Sequence, residues 1–390
     1  MDSARSSGLN GEMPYPRCFP RLLLVVCLTA ACRPACAQPV REITPESKAA
    51  LEAGLAWLAR NQGPEGNWDS NDLGLVATGA LAFLAAGHLP GRGEYGDNVD
   101  RALDFVVQNA KPSGLLNIAD PQRDMYNHGL STFVLGQAYG MSSDPRVGSA
   151  LDQGLKLIYS TQAKDGGWDY QARRLDRGHD LSLAVMQAKA IRSAVDSGLE
   201  VPPEVVRLAI RSVRDHYKPA NGVRDQSDPR HRLGPGTFTY DGQRETPAMA
   251  ACGVVCLQEF GQYDDWRIDK TMVDVRKHVL GLRVDPRNDG QLPQQLDPYT
   301  LYYFSQALYQ VGGEDWQQLY PVLRDRVVEC QFRRQGDPDD GYWTSHRWLH
   351  GKPAKLYATA VSCFMLSIPN RYLPILQEGK IEGLAEAVGE

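Results

Sequence analysis

Apolar and polar residues recur along most of the chain with the period of an α-helix. In six segments the apolar residues fall at i, i+3, i+4 and i+7, so that each helix would bury one face and expose the other. These segments are residues 51–61, 99–109, 150–161, 205–217, 269–280 and 321–333. The pattern predicts six amphipathic helices.

A second set of six segments, one after each amphipathic helix, is richer in small and apolar residues. They are residues 73–86, 129–140, 181–194, 248–260, 299–311 and 357–368. A helix that is apolar around most of its circumference is buried on most of it. The sequence therefore predicts an all-α fold of six helix pairs, with the second helices as an inner layer and the amphipathic helices as an outer layer.

A short motif with the spacing Gln-x3-Gly-x-Trp joins the helices of two pairs. It occurs at Gln62, Gly66 and Trp68 and again at Gln162, Gly166 and Trp168. Weaker copies lie at Ala110, Gly114 and Leu116, and at Gln335, Gly341 and Trp343. The resulting period of about 50 residues indicates an internal repeat.

The residue types of this motif predict a structural role. A glycine can adopt the left-handed conformation that often ends a helix. The side-chain amide of a glutamine can donate to carbonyls that the helix end leaves free, and a tryptophan can cover the turn with a large apolar face. We therefore expect the motif to build the turn between an outer and an inner helix.

The combination resembles the terpenoid cyclase and protein prenyltransferase superfamily, in which Gln-Trp repeats join the helix pairs of an α/α toroid. More narrowly, residues 46–374 resemble the secreted prenyltransferase and squalene oxidase repeat proteins of planctomycete-type bacteria. The segments that carry this narrower resemblance are residues 126–132, 137–141, 185–190, 198–202, 302–303 and 371–374. The resemblance implies an (α/α)6 toroid, in which an inner ring of six helices lies inside an outer ring of six. It is a better guide to the architecture than to the activity.

A ring of six helices encloses a central space. With neighbouring axes roughly 9–10 Å apart and a helix half-width of about 5 Å, that space has a radius of about 4–5 Å. An isoprenoid or other extended apolar ligand would fit, and so would the side chains of the ring itself. Phe133, Met186, Tyr302, Tyr303 and Phe364 are the residues that would line or fill it, and we take Phe133 and Tyr302 as candidate ligand-binding residues.

One end of the ring, where the inner helices begin, is the place where polar residues from distant repeats should converge. The residues predicted at these starts are Asp72, His128, His179, Asp180, Glu245, Thr246, Asp297, Tyr299 and Tyr357. Asp180, His128 and Asp297 are the candidate catalytic residues, and His179, Asp72, Tyr299 and Tyr357 are further candidate ligand-binding residues. Each aspartate has an alternative role as a helix cap.

Two chemistries that the resemblance implies do not match the residues present. Zinc prenyltransferases require an Asp-x-Cys and a histidine, whereas the corresponding positions here are Asp297, Tyr299 and Ala358. Cyclases of the squalene–hopene type use Asp-x-Asp-Asp at an inner-helix start. The only such run, residues 337–340, falls in a turn. We therefore expect neither chemistry, no metal and no cofactor.

Three functions remain open at this point. The first is a toroid that binds an apolar or extended ligand in its central space. The second is an enzyme, either a diverged cyclase-like isomerase or lyase or a carbohydrate-active enzyme, with acid–base residues such as Asp180 at the inner-helix starts. The third is an interaction scaffold that binds a protein partner.

Composition and charge limit these functions further. The 390 residues carry a formal net charge of −5 and no basic cluster that would suggest nucleic acid. Residues 222–244 depart from the repeat and are predicted to form a long loop that could cover one end of the ring. Cys252, Cys256, Cys330 and Cys363 are expected to be buried thiols, with a Cys330–Cys363 disulfide as the alternative.

The N-terminus has the form of a secretory signal. Arg17 and Arg21 precede an apolar run of about ten residues, and Ala35-Cys36-Ala37 supplies an A-x-A cleavage site. The run is too short to span a membrane. We expect a signal peptide over residues 1–37, one toroid domain over 41–375 and a tail over 376–390, in a secreted or periplasmic protein. A lipoprotein anchored at Cys32 is the less favoured alternative.

Overall fold

Twelve α-helices alternate between two layers in the computed structural model, which describes residues 41–283, 289–345 and 354–377. The outer helices are α1 (Pro45–Asn61), α3 (Gly96–Gln108), α5 (Pro145–Thr161), α7 (Pro203–Asp215), α9 (Trp266–Leu280) and α11 (Gly313–Cys330). The inner helices are α2 (Leu73–Ala85), α4 (Asp124–Ala138), α6 (Leu181–Asp196), α8 (Pro247–Glu259), α10 (Pro298–Val311) and α12 (Ala354–Ser367).

The inner helices form a closed ring. Each packs against the next in the order α2, α4, α6, α8, α10, α12, and α12 returns to α2. Every residue of α2 is buried, whereas α7 buries a single face that includes Val206, Ala209 and Val213. The two kinds of sequence pattern therefore separate the layers as predicted, and the chain is an all-α (α/α)6 toroid.

Side-chain caps fix where most inner helices begin. Asp72, Asp180, Thr246 and Asp297 each accept a hydrogen bond from a backbone N–H in the first turn of the helix that follows. Helix α4 differs from these four. It begins at Asp124, five residues before the predicted start, and Arg123 at its N-cap position makes no capping hydrogen bond.

The Gln-x3-Gly-x-Trp turn has the structural role that its residue types predict, with one addition. Gln162 donates to the carbonyl of Gly166 at 3.0 Å and also to the carbonyl of Val205, in the first turn of α7, at 2.9 Å. The indole of Trp168 donates to the carbonyl of Ile158 at 2.9 Å. The glutamine therefore ties each turn to the next outer helix as well as closing the turn itself.

The last copy of the turn closes the outer layer. Gln331 donates to the carbonyl of Gly341 at 2.9 Å and to that of Ala50, in α1, at 2.8 Å. The prediction that Gln335 takes this position was wrong. Gln331 lies ten positions before Gly341, whereas Gln162 lies four positions before Gly166. The sequence pattern selected Gln335 because it lies closer to the spacing of the other copies.

The segment that departs from the repeat forms a β-hairpin within the outer layer. Strands β1 (Tyr217–Pro219) and β2 (Gly236–Phe238) pair antiparallel, and β2 packs against α8 and α9. Phe238 is fully buried against Gly253, where a Cβ atom would lie 2.0 Å from the phenyl ring. Residues 236–239 are thus buried in the outer layer, whereas most of residues 222–235 are exposed. The carbonyl of Tyr240 accepts from the backbone N–H of Leu181 at the start of α6.

The predicted signal peptide at residues 1–37 and almost all of the predicted tail lie outside the described residues. None of the helices in the described ranges combines the length and the apolarity that a membrane span requires. Cys252, Cys256, Cys330 and Cys363 are buried free thiols, as expected.

Candidate functional site

The starts of the inner helices meet at one end of the ring, which we call the mouth. Five tyrosines from five different helix pairs lie there half-buried, namely Tyr126, Tyr170, Tyr240, Tyr299 and Tyr357. Contacts cross between the pairs: the Arg123 guanidinium lies 3.5 Å from the carboxylate of Asp72, and the Tyr126 hydroxyl donates to that of Ser182. Polar side chains of neighbouring helix pairs therefore contact one another at the mouth.

Asp180 accepts three hydrogen bonds at the mouth. Its Oδ1 accepts from the backbone N–H of Ser182 at 3.0 Å and from the Ser182 hydroxyl. Its Oδ2 accepts from the hydroxyl of Tyr170 at 2.5 Å, and that hydroxyl also contacts the hydroxyl of Tyr240. Asp180 is only 5% exposed. Hydroxyl groups from two helix pairs thus surround one shielded carboxylate.

The tyrosines of this network are hydrogen-bond donors at neutral pH. Burial raises the pKa of Tyr126, and the nearby charge of Asp180 raises it further. Burial likewise raises the pKa of Tyr170 and Tyr240. A phenol with a raised pKa keeps its proton, so the network presents protonated hydroxyls around an acceptor.

The rim beside Asp180 carries a second group of polar side chains. His179 Nε2 lies 3.1 Å from Asp169 Oδ1, and the Asp169 carboxylate also pairs with Arg173. The His179 ring packs edge-on against Tyr170, with 5.3 Å between the centroids. His179 is therefore placed next to the network at the solvent boundary.

Asp297 and Asp72 serve first as helix caps. Asp297 accepts from the backbone N–H of Thr300 at 2.9 Å, and Asp72 accepts from that of Leu75 at 3.1 Å. Tyr299 packs against Tyr303 with 4.9 Å between the ring centroids. Asp297 and Asp72 thus border the mouth without joining the Asp180 network.

His128 lies away from the mouth. Because α4 starts early, His128 falls in its second turn and is fully buried. Its Nδ1 accepts from the backbone N–H of Leu116 at 3.1 Å, and its Nε2 lies 3.0 Å from the carbonyl of Gly154 in α5. Burial lowers the pKa of His128 to about 4. Both ring nitrogens are occupied in joining α4 to the outer layer, so the structure does not bring His128 together with Asp180 and Asp297.

Side chains occupy the middle of the ring. The Tyr303 hydroxyl lies 3.3 Å from the sulfur of Met186, and Tyr302 packs against Phe364 with 5.3 Å between the centroids. These contacts cross from α10 to α6 and to α12. Tyr302, one of the predicted ligand-binding residues, is thus part of a packed interior below the mouth.

A buried ion pair that the sequence analysis missed lies in the same interior. Lys189 of α6 and Glu259 of α8 are 2.9 Å apart, and both side chains are at most 1% exposed. The Lys189 ammonium lies 5.1 Å from the ring centroid of Phe133 and 5.8 Å from that of Tyr302. Phe133, the other predicted ligand-binding residue of the interior, therefore contacts a lysine rather than an open space.

The Asp-x-Asp-Asp run lies on the outer rim, where its carboxylates have partners. Asp339 is 3.0 Å from Lys355 and accepts from the Trp57 indole, and Asp340 accepts from the backbone N–H of Arg334. Within the described ranges, no group of three or more histidine, cysteine, aspartate or glutamate side chains could hold a metal ion. The carboxylates of Asp339 and Asp340 are thus partly exposed and already paired with neighbouring groups.

Several residues of the mouth carried no sequence signal strong enough to select them. Tyr170 and Tyr240 lie in loops, and the internal repeat does not predict their separation from Asp180 along the chain. Tyr126 follows the early start of α4, and Arg123 precedes it. The small–apolar pattern located α4 only from residue 129 onward, so both residues fell outside the predicted helix starts.

The fold and the mouth define the chain as an (α/α)6 toroid with a polar, tyrosine-lined end. No protein-family model matches the sequence, and no curated protein matches it. Three solved structures illustrate the likeness, all at 10–13% sequence identity.

An α-1,6-mannanase of Salegentibacter sp. HEL1_6, in an inactive variant with α-1,6-mannotriose, has 10% identity and a TM-score of 0.53, covering 85% of this chain and all of its own. A type II terpene cyclase from Scytonema has 13% identity and a TM-score of 0.52, with the same coverage. A sugar epimerase from a ruminal bacterium has 12% identity and a TM-score of 0.55, covering 83% of this chain and 98% of its own. These similarities show the fold and assign no activity.

Proposed function

We propose that the mouth binds a polyhydroxylated ligand, a sugar or short oligosaccharide, and that Asp180 and Tyr170 act there as an acid–base pair. The observation that carries this proposal is the convergence of the Tyr170, Tyr240 and Ser182 hydroxyls on the shielded Asp180 carboxylate. A ligand hydroxyl can enter such a network as both donor and acceptor.

The chemistry of the mouth matches a sugar better than a hydrocarbon. Half-buried tyrosines combine an apolar ring with a polar tip, and small-molecule sites typically join apolar walls to a few convergent polar groups. A sugar presents both kinds of surface, because its C–H groups can lie on the rings and its hydroxyls can bond the tips. An isoprenoid chain would leave the unused donors of Arg123 without polar acceptors, which is costly in a shielded site.

The packed interior of the ring also favours a sugar at the mouth over an apolar ligand in the central space. A ligand held along the axis of the ring would have to displace Tyr302, Tyr303 and the Lys189–Glu259 pair, which are packed across it. Protein interiors are close-packed, and separating a buried ion pair is costly. The binding of an apolar ligand in the central space, our first expectation from sequence, is therefore the weaker proposal.

The architecture itself does not choose between these ligands. The compared toroids include a mannanase, a sugar epimerase and a terpene cyclase by their names. The choice depends on the side chains at the mouth. A carbohydrate-binding protein of this kind suits export, and we propose that residues 1–37 direct the chain to the periplasm or outside the cell.

Direct binding measurements on the purified protein test the proposal. Isothermal titration with a panel of neutral and acidic oligosaccharides should detect binding, and geranylgeraniol in detergent micelles should not bind. Asp180→Asn keeps a side chain that can cap α6 but removes the charge, and Tyr170→Phe removes one hydroxyl. Each should weaken sugar binding about tenfold or more, because a hydrogen bond to a charged group contributes about 1.5–3 kcal/mol.

Asp144→Asn is the matched control. Asp144 caps outer helix α5 with the same Asp-to-second-residue hydrogen bond, at the end of the ring away from the mouth. The proposal is wrong if no member of the oligosaccharide panel binds, or if Asp180→Asn and Asp144→Asn bind sugar equally well. Binding of the micellar isoprenoid would restore the apolar ligand, and specific capture of a protein partner through the outer face would favour the interaction scaffold.

A further inference from the structure

Among the inner-helix caps that the structure describes, Arg123 is the one cation, and two of its donors are not used. Among the described residues, neither Nε nor Nη1 has a hydrogen-bond acceptor, and both atoms are shielded from solvent. The nearest carboxylate oxygen, Oδ2 of Asp72, lies 3.5 Å from Nε without hydrogen-bond geometry. A shielded donor without an acceptor is costly, so the guanidinium, although ion-paired with Asp72, has donors that a further anionic partner could use.

The position of Arg123 in the fold adds to this cost. It occupies the N-cap of α4, where the helix dipole presents its positive end and a cation is disfavoured. Four other inner helices begin instead with Asp72, Asp180, Thr246 or Asp297, whose oxygens accept backbone hydrogen bonds. An anion placed at the start of α4 would be stabilised by the guanidinium and by the helix terminus together.

The carboxylates of the mouth are, in contrast, already engaged. Asp180 accepts three hydrogen bonds, and Asp297 accepts one from its own helix. After these internal pairings the mouth retains two unused donors on Arg123, whose one carboxylate contact within the described part of the chain is the ion pair with Asp72 at 3.5 Å. Tyr126 follows Arg123 by three residues in the chain. Its hydroxyl donates to that of Ser182, which in turn donates to Asp180, so Arg123 lies close in sequence to a residue of the Asp180 network.

We infer that Arg123 recognises an anionic group on the ligand and that the ligand of the mouth is an acidic sugar carrying a carboxylate. This inference rests on the proposed sugar-binding function and adds its charge class. Arginine suits this task because its guanidinium remains protonated and its planar set of donors matches carboxylate geometry. Arg123 is thus assigned as the residue that determines specificity, and Asp180 as the residue that contacts the reacting hydroxyl.

The experiment compares acidic oligosaccharides with the same compounds after carboxyl reduction, which converts each uronic acid into its neutral sugar. Titration calorimetry of the full chain should show a preference of about tenfold or more for the acidic form, and the preference should shrink as salt screens the charge. Arg123→Gln should abolish the preference, so that the acidic and reduced forms bind with affinities within about threefold of each other. Arg123→Lys should keep part of the preference, since it retains the charge and loses the planar donor set.

Arg146→Gln is the control. Arg146 is an exposed arginine at the start of outer helix α5, paired with Asp144 and Asp104, and this variant should keep the preference. Equal binding of the acidic and reduced sugars by the wild-type protein would overturn the charge assignment and leave sugar binding intact. A preference that survives in Arg123→Gln would overturn the role of Arg123. Failure of every sugar, acidic and neutral, would instead overturn the proposed function.

Discussion

Replacing Gly166 by alanine tests whether the Gln-x3-Gly-x-Trp turn needs glycine for its conformation or for its closeness to the next outer helix. Gly166 has φ = 95°, and a Cβ atom there would lie 1.9 Å from the carbonyl oxygen of Leu208 in α7. Gly198 also has a positive φ, 72°, but a Cβ atom there would meet nothing within 4 Å. An alanine would strain the backbone at both positions, but only at Gly166 would its Cβ atom also clash with the next outer helix.

The expected magnitudes follow from this difference. An alanine in the left-handed region costs about 1–2 kcal/mol at either site. To restore an ordinary contact of about 3.4 Å from 1.9 Å, α7 and the turn must separate by about 1.5 Å. That movement disturbs the Gln162 hydrogen bond to Val205, and overpacking of this kind adds about 1–3 kcal/mol. We expect Gly198→Ala to cost about 1–2 kcal/mol and Gly166→Ala about 2–5 kcal/mol.

Urea unfolding monitored by circular dichroism measures both variants against the wild-type protein. Thermal unfolding should show the same order, with Tm falling by about 2 °C for each kcal/mol in a chain of this size. Equal losses in the two variants would mean that the conformation of glycine alone matters and that the turn can move away from α7 freely. A loss at Gly198 that exceeds the loss at Gly166 would refute the role of the close contact altogether.

Three further predictions concern the ring closure, the interior and the pH dependence of folding. Gln331→Ala should lower the free energy of unfolding by about 2–4 kcal/mol, because two carbonyls lose their donor; an unchanged urea midpoint would contradict this. Lys189→Met should cost about 3–5 kcal/mol by leaving the buried Glu259 carboxylate without its counter-ion, and adding Glu259→Met should recover most of the loss in the same assay. His128 has a folded-state pKa of about 4, below its unfolded value of about 6.5. Its stabilising effect is therefore complete above about pH 6.5 and is lost as the pH falls toward 4, by about 3 kcal/mol in all. The stability difference between wild-type protein and His128→Asn should accordingly shrink over this range in urea titrations, and a constant difference would show that His128 does not titrate as a buried neutral group.

The sequence predicted the architecture well because each helix pair repeats the same physical requirement. An outer helix must bury one face and an inner helix nearly all of its surface, and both requirements appear as local patterns that a single segment displays. The misplaced copy at Gln335 shows the limit of this approach. Gln331 performs the same role at a different spacing, and only its contact with Ala50, at the other end of the chain, identifies it.

The sequence predicted where the candidate site lies in the fold, but only some of the residues that form it. The convergence of inner-helix starts follows from the ring, so Asp180 and His179 were identified as mouth residues. Tyr170 and Tyr240 join Asp180 through loops whose paths no local pattern encodes. Arg123 was missed because the helix that it begins starts five residues earlier than the apolar pattern indicates.

The closed ring restricts the order in which the chain can fold during synthesis. Helix α2 packs against α12, and α1 packs against α11 and α12, although hundreds of residues separate them along the chain. Until α12 has been synthesised, α2 and α10 each present an unpaired apolar flank, and contacts so distant in sequence form slowly. The first helix pair therefore remains incompletely covered until the last pair has been synthesised. Nascent chains of this toroid depend on protection from aggregation until almost the whole sequence is available.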